Sequence, residues 1–284
     1  MPYFGVHQSI AAGFDAAVYD AANMGYDCVQ IFSGNSNRWA NKPIAAPEAQ
    51  KFKDALEKTG QFTPLIHDTY LINLASPDPE LLEKSIARFA DELKRAQILG
   101  VPQLVMHPGA AKDDSREVAL DRVAKSFDQI FASLPDNTTK VLIETTAGQG
   151  SYLGGTFEEI AAIIAASDHK DRLGVCLDTC HVFVAGYDFR TKDLYDAMFD
   201  NFDRAIGLDR LDAFHLNDAM KAFGSHVDRH EHIGKGEIGL DAFALLVNDP
   251  RFADKPMYLE TPKKETEDGE SWDVLNLKAL KALL

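Results

Sequence analysis

Eight short apolar segments recur along this 284-residue chain, and stretches of helical periodicity separate them. They cover residues 3–7, 28–32, 64–67, 104–107, 141–144, 174–178, 211–215 and 257–260. Each is rich in strand-forming residues, as expected of parallel strands covered on both faces. Between them, Leu82, Ile86, Phe89 and Leu93 follow one helical face, and Val123, Phe127, Ile130 and Leu134 follow another. Asp78-Pro79 supplies a cap and a first-turn proline, and Gly100 a stop, with Lys94 and Arg95 near the negative end of the helix dipole. Thr156 and Glu159 have capping-box spacing ahead of Ile160, Ile163 and Ile164, and Ala17, Val18, Ala21 and Ala22 run up to a stop at Gly25. Eight strand–helix repeats without a low-complexity linker predict one α/β domain over residues 1–284, a (β/α)8 TIM barrel. The rival is an open doubly wound sheet, but residues 8–13 lack its glycine-rich dinucleotide turn. The polar, acidic stretch 263–273 reads as a mobile surface segment before a last helix.

Seven of the eight segments end on a potential metal ligand: His7, His67, His107, Glu144, Asp178, His215 and Glu260. In a closed barrel the C-terminal strand ends converge on one mouth, so these distant residues would share a centre. A single His at a strand end is more often structural than a ligand. Seven acidic or imidazole ends with no Lys or Arg among them are another matter. Crowded carboxylates raise one another's pKa unless cations intervene, and imidazole with carboxylate suits Zn²⁺, with Mn²⁺ or Fe²⁺ as alternatives. His181 follows the sixth segment, and Asp228 with His230 follows the seventh, giving too many ligands for one tetrahedral site and enough for three. Cys176 and Cys180 flank Asp178 and read as small buried residues rather than thiolate ligands; His169, His226 and His232 read as outside the cluster.

Composition narrows the class. Apolar residues make up 45% and charged residues 26%, which is the balance of a soluble globular protein. Three Cys do not form a disulfide framework, no secretory leader is evident, and no run reaches the ~18 apolar residues of a membrane helix. A cytoplasmic location without membrane association is expected, and with no evident interface helix, a monomer. The formal charge of −15 disfavours nonspecific binding to nucleic acid.

Three blocks of sequence carry a resemblance. They are residues 143–150 (Ile-Glu-Thr-Thr-Ala-Gly-Gln-Gly), residues 174–181 (Gly-Val-Cys-Leu-Asp-Thr-Cys-His), and residues 215–230, from His-Leu-Asn-Asp to Val-Asp-Arg-His. Residues 67–73 and 107–109 match as well, and the chain resembles the endonuclease IV family of zinc-dependent abasic-site endonucleases over its whole length. The resemblance implies three Zn²⁺ per chain: His67, His107 and Glu144 for the first; a bridging Glu144 with Asp178, His215 and Glu260 for the second; and His181, Asp228 and His230 for the third. It implies Glu144 and Glu260 as the catalytic carboxylates, positioning and orienting a hydroxide, with His7 orienting a ligand or water from behind. The reaction would be base-excision repair chemistry: hydrolysis of double-stranded DNA 5′ to an abasic site, leaving a 3′-hydroxyl and a 5′-deoxyribose phosphate, with removal of 3′-blocking groups. Such an enzyme would be bacterial in type and nucleoid-associated while acting. Three divalent ions would also take the formal charge from −15 to −9 and place the positive charge at the mouth.

Tyr70 and Leu71 are implied as a wedge in the duplex, and Asn35, Arg38 and Arg229 as DNA contacts. The family's loop Arg after the second strand has no counterpart in register: Asn37 stands there and Arg38 comes one residue later. Weaker lesion binding with intact chemistry is the expectation. A metal-dependent barrel sugar isomerase or epimerase shares the fold and strand-end ligands, but it needs neither the third ligand set nor the wedge. A purely structural metal module would call for saturated Cys/His shells rather than four carboxylates.

Overall fold

The computed structural model describes residues 2–284. Eight parallel strands close into a barrel: β1 (Tyr3–Gln8), β2 (Cys28–Phe32), β3 (Leu65–His67), β4 (Gln103–Met106), β5 (Lys140–Glu144), β6 (Leu173–Asp178), β7 (Leu211–His215) and, after an excursion, β10 (Pro256–Leu259), which pairs with both β7 and β1. The excursion is a two-stranded antiparallel ribbon, β8 (Asp218–Ala219) with β9 (His230–Glu231). Helices α1 (Phe14–Asn23), α2 (Ala46–Thr59), α3 (Pro79–Leu99), α4 (Arg116–Ser133), α5 (Phe157–Ala166), α6 (Thr179–Ala185), α7 (Lys192–Ala205), α8 (Leu240–Val247) and α9 (Trp272–Lys281) lie between and after the strands. The expected (β/α)8 barrel is the observed fold. Among the described residues no helix is long and apolar enough to cross a membrane.

Strand alternation places the site. Cys28, Leu65, Val105, Leu142, Cys176, Ala213 and Tyr258 form a buried cluster of their own inside the ring. Their neighbours Val29, Ile66, Leu104, Met106, Val141, Ile143, Val175, Leu177, Phe214, Met257 and Leu259 pack instead into the larger core shared with the helices. Successive side chains point to opposite faces, so the residue two beyond each inner position faces inward again. Those residues are Gln30, His67, His107, Glu144, Asp178, His215 and Glu260, with His7 in the same layer two beyond Gly5. A sealed apolar layer is therefore the floor of a polar one. Gly5 has no side chain because the Tyr258 ring and the Cys28 sulfur occupy the space a Cβ would take.

The helices follow their local signals, with one difference at the start of α5. In α3, Asp78 accepts from the Glu80 and Leu81 amides, Gly100 closes the helix at φ 74°, and Arg95 near its C-terminal end is buried. Thr156 caps α5, yet Glu159 turns to the Gly154 and Gly155 amides and to Arg116 instead of completing a box. Residues 263–273 are mostly exposed, with Lys263 Nζ 2.7 and 2.8 Å from the two Asp273 oxygens and a bridge from Glu265 to Ser271. This acidic stretch holds itself with its own opposite charges.

Candidate metal centre

Five imidazoles and four carboxylates meet at the C-terminal mouth. His67, His107 and Glu144 present ligand atoms within 4.8 Å of one another, as do Glu144, Asp178, His215 and Glu260. A third group comprises Asp178, His181 and His230, and Asp228 joins it through His181 Nε2 at 3.2 Å and His230 Nε2 at 3.5 Å. Glu144 is the hub, fully buried. Its Oε2 lies 3.0 Å from the Nε2 of both His67 and His107, and its Oε1 lies 2.9 Å from His215 Nδ1.

The hydrogen bonds on the far side of the rings show what this arrangement lacks. Asp68 O lies 2.9 Å from His67 Nδ1, and Thr145 O lies 2.8 Å from His181 Nδ1. Glu260 O lies 3.3 Å from His230 Nδ1, and Gln30 Oε1 lies 2.8 Å from His215 Nε2. Oxygens of this kind only accept, so in each ring that nitrogen carries the proton. In the neutral imidazole the other nitrogen is then a lone pair, and it faces carboxylate oxygen or, for His181 and His230, another such nitrogen at 3.4 Å. Acceptor against acceptor is repulsive unless a proton or a cation lies between. This donor set, oriented from behind by fixed carbonyls, fits divalent metal ions.

Without ions, protons fill that role. Burial alone would raise Glu144, but His215 and His107 hold it well below the carboxylate range. Burial would also raise Glu260, yet His215 and His67 hold it at about 2. Conversely, burial would lower His67, yet Glu144 and Glu260 lift it to about 9, while His181 and His215 are lifted well above their ordinary value. Burial would raise Asp228, and His181 holds it low. His7 differs: burial takes it down to about 3, so it is neutral and accepts from Gln30 Nε2 at 3.0 Å.

Known proteins match this chain in sequence and in fold. A family model described as a xylose isomerase-like TIM barrel matches residues 18–282. A probable endonuclease 4 from Chloroflexus aggregans is 49% identical over 284 residues, all of this chain and 98% of the relative. One from Geobacter sp. strain M21 is 45% identical over all of this chain and 99% of the relative. The chain belongs to the endonuclease IV family. The crystal structure of endonuclease IV from Thermus thermophilus superposes with a TM-score of 0.87 at 35% identity, covering 99% of this chain and 98% of that one. A D-tagatose 3-epimerase-like protein reaches 0.75 at 17% identity, over 99% of this chain and 96% of the other, a likeness of fold alone. This endonuclease IV family member is an enzyme, a nuclease of the hydrolase class.

Around the centre lies a cavity of about 290 Å³, lined by His67, His107, His181, Asp228, Tyr70 and Arg229 among others. Tyr70 is 68% exposed and meets the Phe32 ring edge-on at 5.6 Å. Arg229 is exposed, and its Nη1 donates to Asp228 O at 2.7 Å. Leu71 is half-buried and does not line the cavity. Nor do Asn35 and Arg38: the Asn35 side chain accepts from the Asn37 amide at 2.9 Å, and Arg38 borders a neighbouring groove with Asn41, Lys42 and Glu48. The histidines read as outside the cluster are occupied elsewhere. His232 stacks on Trp272 at 4.0 Å, His226 faces Ala147 O, and His169 pairs with Asp128. Cys176 lies in the apolar floor, its thiol pushed up to about 12 by burial. Cys180 Sγ comes within reach of Asp228 and His230, but burial pushes its thiol up and it donates to Arg229 O.

Sequence reading passed over Gln30, Asn217, Thr145 and Tyr152. Gln30 Nε2 donates to Glu260 Oε1 at 2.5 Å and to His7, while its Oε1 accepts from His215. Asn217 Nδ2 donates to Asp178 Oδ2 at 2.7 Å and its Oδ1 accepts the Glu260 amide. Thr145 Oγ1 accepts the Asp178 amide. Tyr152, 48% exposed, stands on the cavity wall. The available signal was Gln30 itself, a polar side chain inside an apolar run in the one strand without an acidic or imidazole end. Gln30→Leu should leave the fold intact and weaken metal affinity roughly 10–100-fold. Titration of the metal-free protein with Zn²⁺ against a competing chelator reads this directly, and unchanged affinity would mean that His215 needs no partner.

Proposed function

We propose that this protein hydrolyses double-stranded DNA on the 5′ side of an abasic site, leaving a 3′-hydroxyl and a 5′-deoxyribose phosphate, and that it also removes 3′-blocking groups. Three divalent ions, Zn²⁺ or in some sites Mn²⁺ or Fe²⁺, would be held by His67, His107 and Glu144; by Glu144, Asp178, His215 and Glu260; and by His181, Asp228 and His230. The observation that carries the reading is the set of imidazole lone pairs turned against carboxylate oxygens at the barrel mouth. Bound there, such ions would screen the anionic phosphodiester, lower the pKa of a bound water toward neutrality and stabilise the leaving 3′-oxygen.

The chain's own part is positioning. Glu144 is fixed by its imidazole contacts, and Glu260 by Gln30 at its carboxylate and by the Asn217 amide oxygen at its backbone N–H, so both carboxylates keep one orientation as the nucleophile approaches. His7 is neutral and holds the second amide hydrogen of Gln30, which fixes the face Gln30 turns to His215. Tyr70, exposed at the rim, and Leu71 beside it would enter the duplex next to the lesion, where a missing base lowers the unstacking cost. Arg229 and the loop bearing Asn35 and Arg38 would contact the strands. The site would act within one domain of a cytoplasmic, monomeric protein that is nucleoid-associated while repairing DNA.

An incision assay on an abasic duplex with and without chelator, with metals counted on the same sample, tests the reading. Chelator-sensitive incision with about three metals per chain supports it. A single metal with sugar turnover instead would select the isomerase or epimerase alternative. For the shifted loop, Arg38→Ala should raise KM on abasic duplex about threefold to tenfold with kcat preserved. An unchanged KM would remove Arg38 from the interface.

A further inference from the structure

We propose that Arg95 is the positioning residue for the two loops that meet the DNA, an inference that rests on the lesion-cleaving function above. Arg95 lies in α3, outside the metal centre, and is 5% exposed. Its guanidinium spans the base of the loop that follows β2. Nε donates to Ser33 O at 3.0 Å and to Ser33 Oγ at 2.9 Å, Nη2 also donates to Ser33 O, and Nη1 donates to Lys42 O at 2.8 Å. One planar fork thus grips both ends of the segment that carries Asn35 and Arg38.

The loop in turn braces its neighbour. The Thr69 hydroxyl donates to Ser36 O, and Thr69 immediately precedes Tyr70. A continuous line of contacts therefore runs from α3 through Arg95, Ser33 and Lys42 to Ser36, Thr69 and the exposed Tyr70. The charges beneath are arranged to free Arg95 for this purpose. Glu92 accepts from the Ser33 hydroxyl and from Arg88 Nη2 at 2.5 Å, and Arg88 also pairs with Asp91 at 2.6 Å. Arg88 answers the Glu92 carboxylate, while all the hydrogen bonds of Arg95 go to the loop. A buried cation is costly where neutral groups would suffice to close a turn. Asn41 shows that neutral closure is available, accepting the Asn35 amide at 2.9 Å. What the cation adds is attachment of the loop to a 21-residue helix. His215, Asp178 and His181 are oriented by Gln30, Asn217 and Thr145, none of which Arg95 contacts.

The test compares metal-loaded wild type, Arg95→Gln and Arg95→Lys on an abasic duplex and on bis(4-nitrophenyl) phosphate, a small diester that needs no loop contacts. A merely structural residue would lower kcat, metal content and both activities together. Positioning predicts a KM for the duplex raised about tenfold or more in Arg95→Gln, kcat within about threefold, a full metal count and unaltered small-diester turnover. Arg95→Lys, which keeps the charge but loses the fork, should fall between and serves if the Gln variant does not fold. An unchanged duplex KM overturns the proposal, as does loss of metals in step with activity. Trp39 lies within the loop, and in a Trp272→Phe background it is the only indole. Its emission should shift to the red in Arg95→Gln as the loop loosens. If the wild type fails to cut abasic DNA, the functional reading falls, and this signal alone then decides whether Arg95 holds the loop.

Discussion

Glu144→Gln is expected to slow incision of an abasic duplex by about a thousandfold or more, roughly 4 kcal/mol of barrier, and to empty two of the three ligand groups. The carboxylate belongs to both the His67–His107 group and the Asp178–His215–Glu260 group. An amide of the same shape keeps one acceptor and turns two N–H donors toward the rings of His67 and His107. Those hydrogens satisfy the imidazole lone pairs that a cation would otherwise engage. The substitution also removes a fully buried charge, so the fold should survive and the loss should be one of chemistry. Steady-state incision with metal counting on the same preparation checks it. A variant that retains about three metals and near wild-type rates would show that Glu144 is not the hub.

Stripped of metal by chelation, the protein should lose stability as pH rises from 6.5 toward 9, by about 3 kcal/mol for His67 alone at most. The sign follows from His67, whose folded pKa of about 9 exceeds its ordinary 6.5 because its burial, which would lower it, is outweighed by Glu144 and Glu260. A group raised in the folded state contributes fully below its unfolded pKa, and that contribution vanishes as pH passes the folded one. His181 and His215, also raised, act in the same direction. The carboxylates act oppositely: Glu144 and Glu260 are depressed, so their contribution is present above pH 4.5 and lost in acid. His7, taken down to about 3 by burial, loses its contribution as pH falls below 6.5, so the metal-free protein should be most stable near the upper end of the window between about pH 4.5 and 6.5. In the loaded protein, cations take the place of the protons and the alkaline decline should disappear. Melting temperature against pH, with and without chelator, separates the two. Parallel curves would mean that the imidazoles are not answering the carboxylates.

The strand ends are the part of this site that local sequence records. Because side chains alternate along a strand, an apolar residue two positions before His67, Glu144, Asp178, His215 or Glu260 already commits each of them to the inner face. Eight repeats close a ring, and the ring brings the ends together. The place of Arg95 near a helix end is likewise a local fact, but the carbonyls it grips belong to a loop some 60 residues earlier. Nor does the polar composition of residues 263–273 record the pairing of Lys263 with Asp273.

The fold, the inward layer of His, Asp and Glu side chains and their chemical type were thus decided by the amino-acid order, through periodicity that needs only neighbouring residues. Orientation was not. His215 turns a lone pair to the carboxylates because Gln30, 185 residues away, takes its other proton. His181 does so because of Thr145 O, 36 residues away. Such pairings exist only once the barrel has closed, since a hydrogen bond depends on distance in space and the sequence contains only distance along the chain.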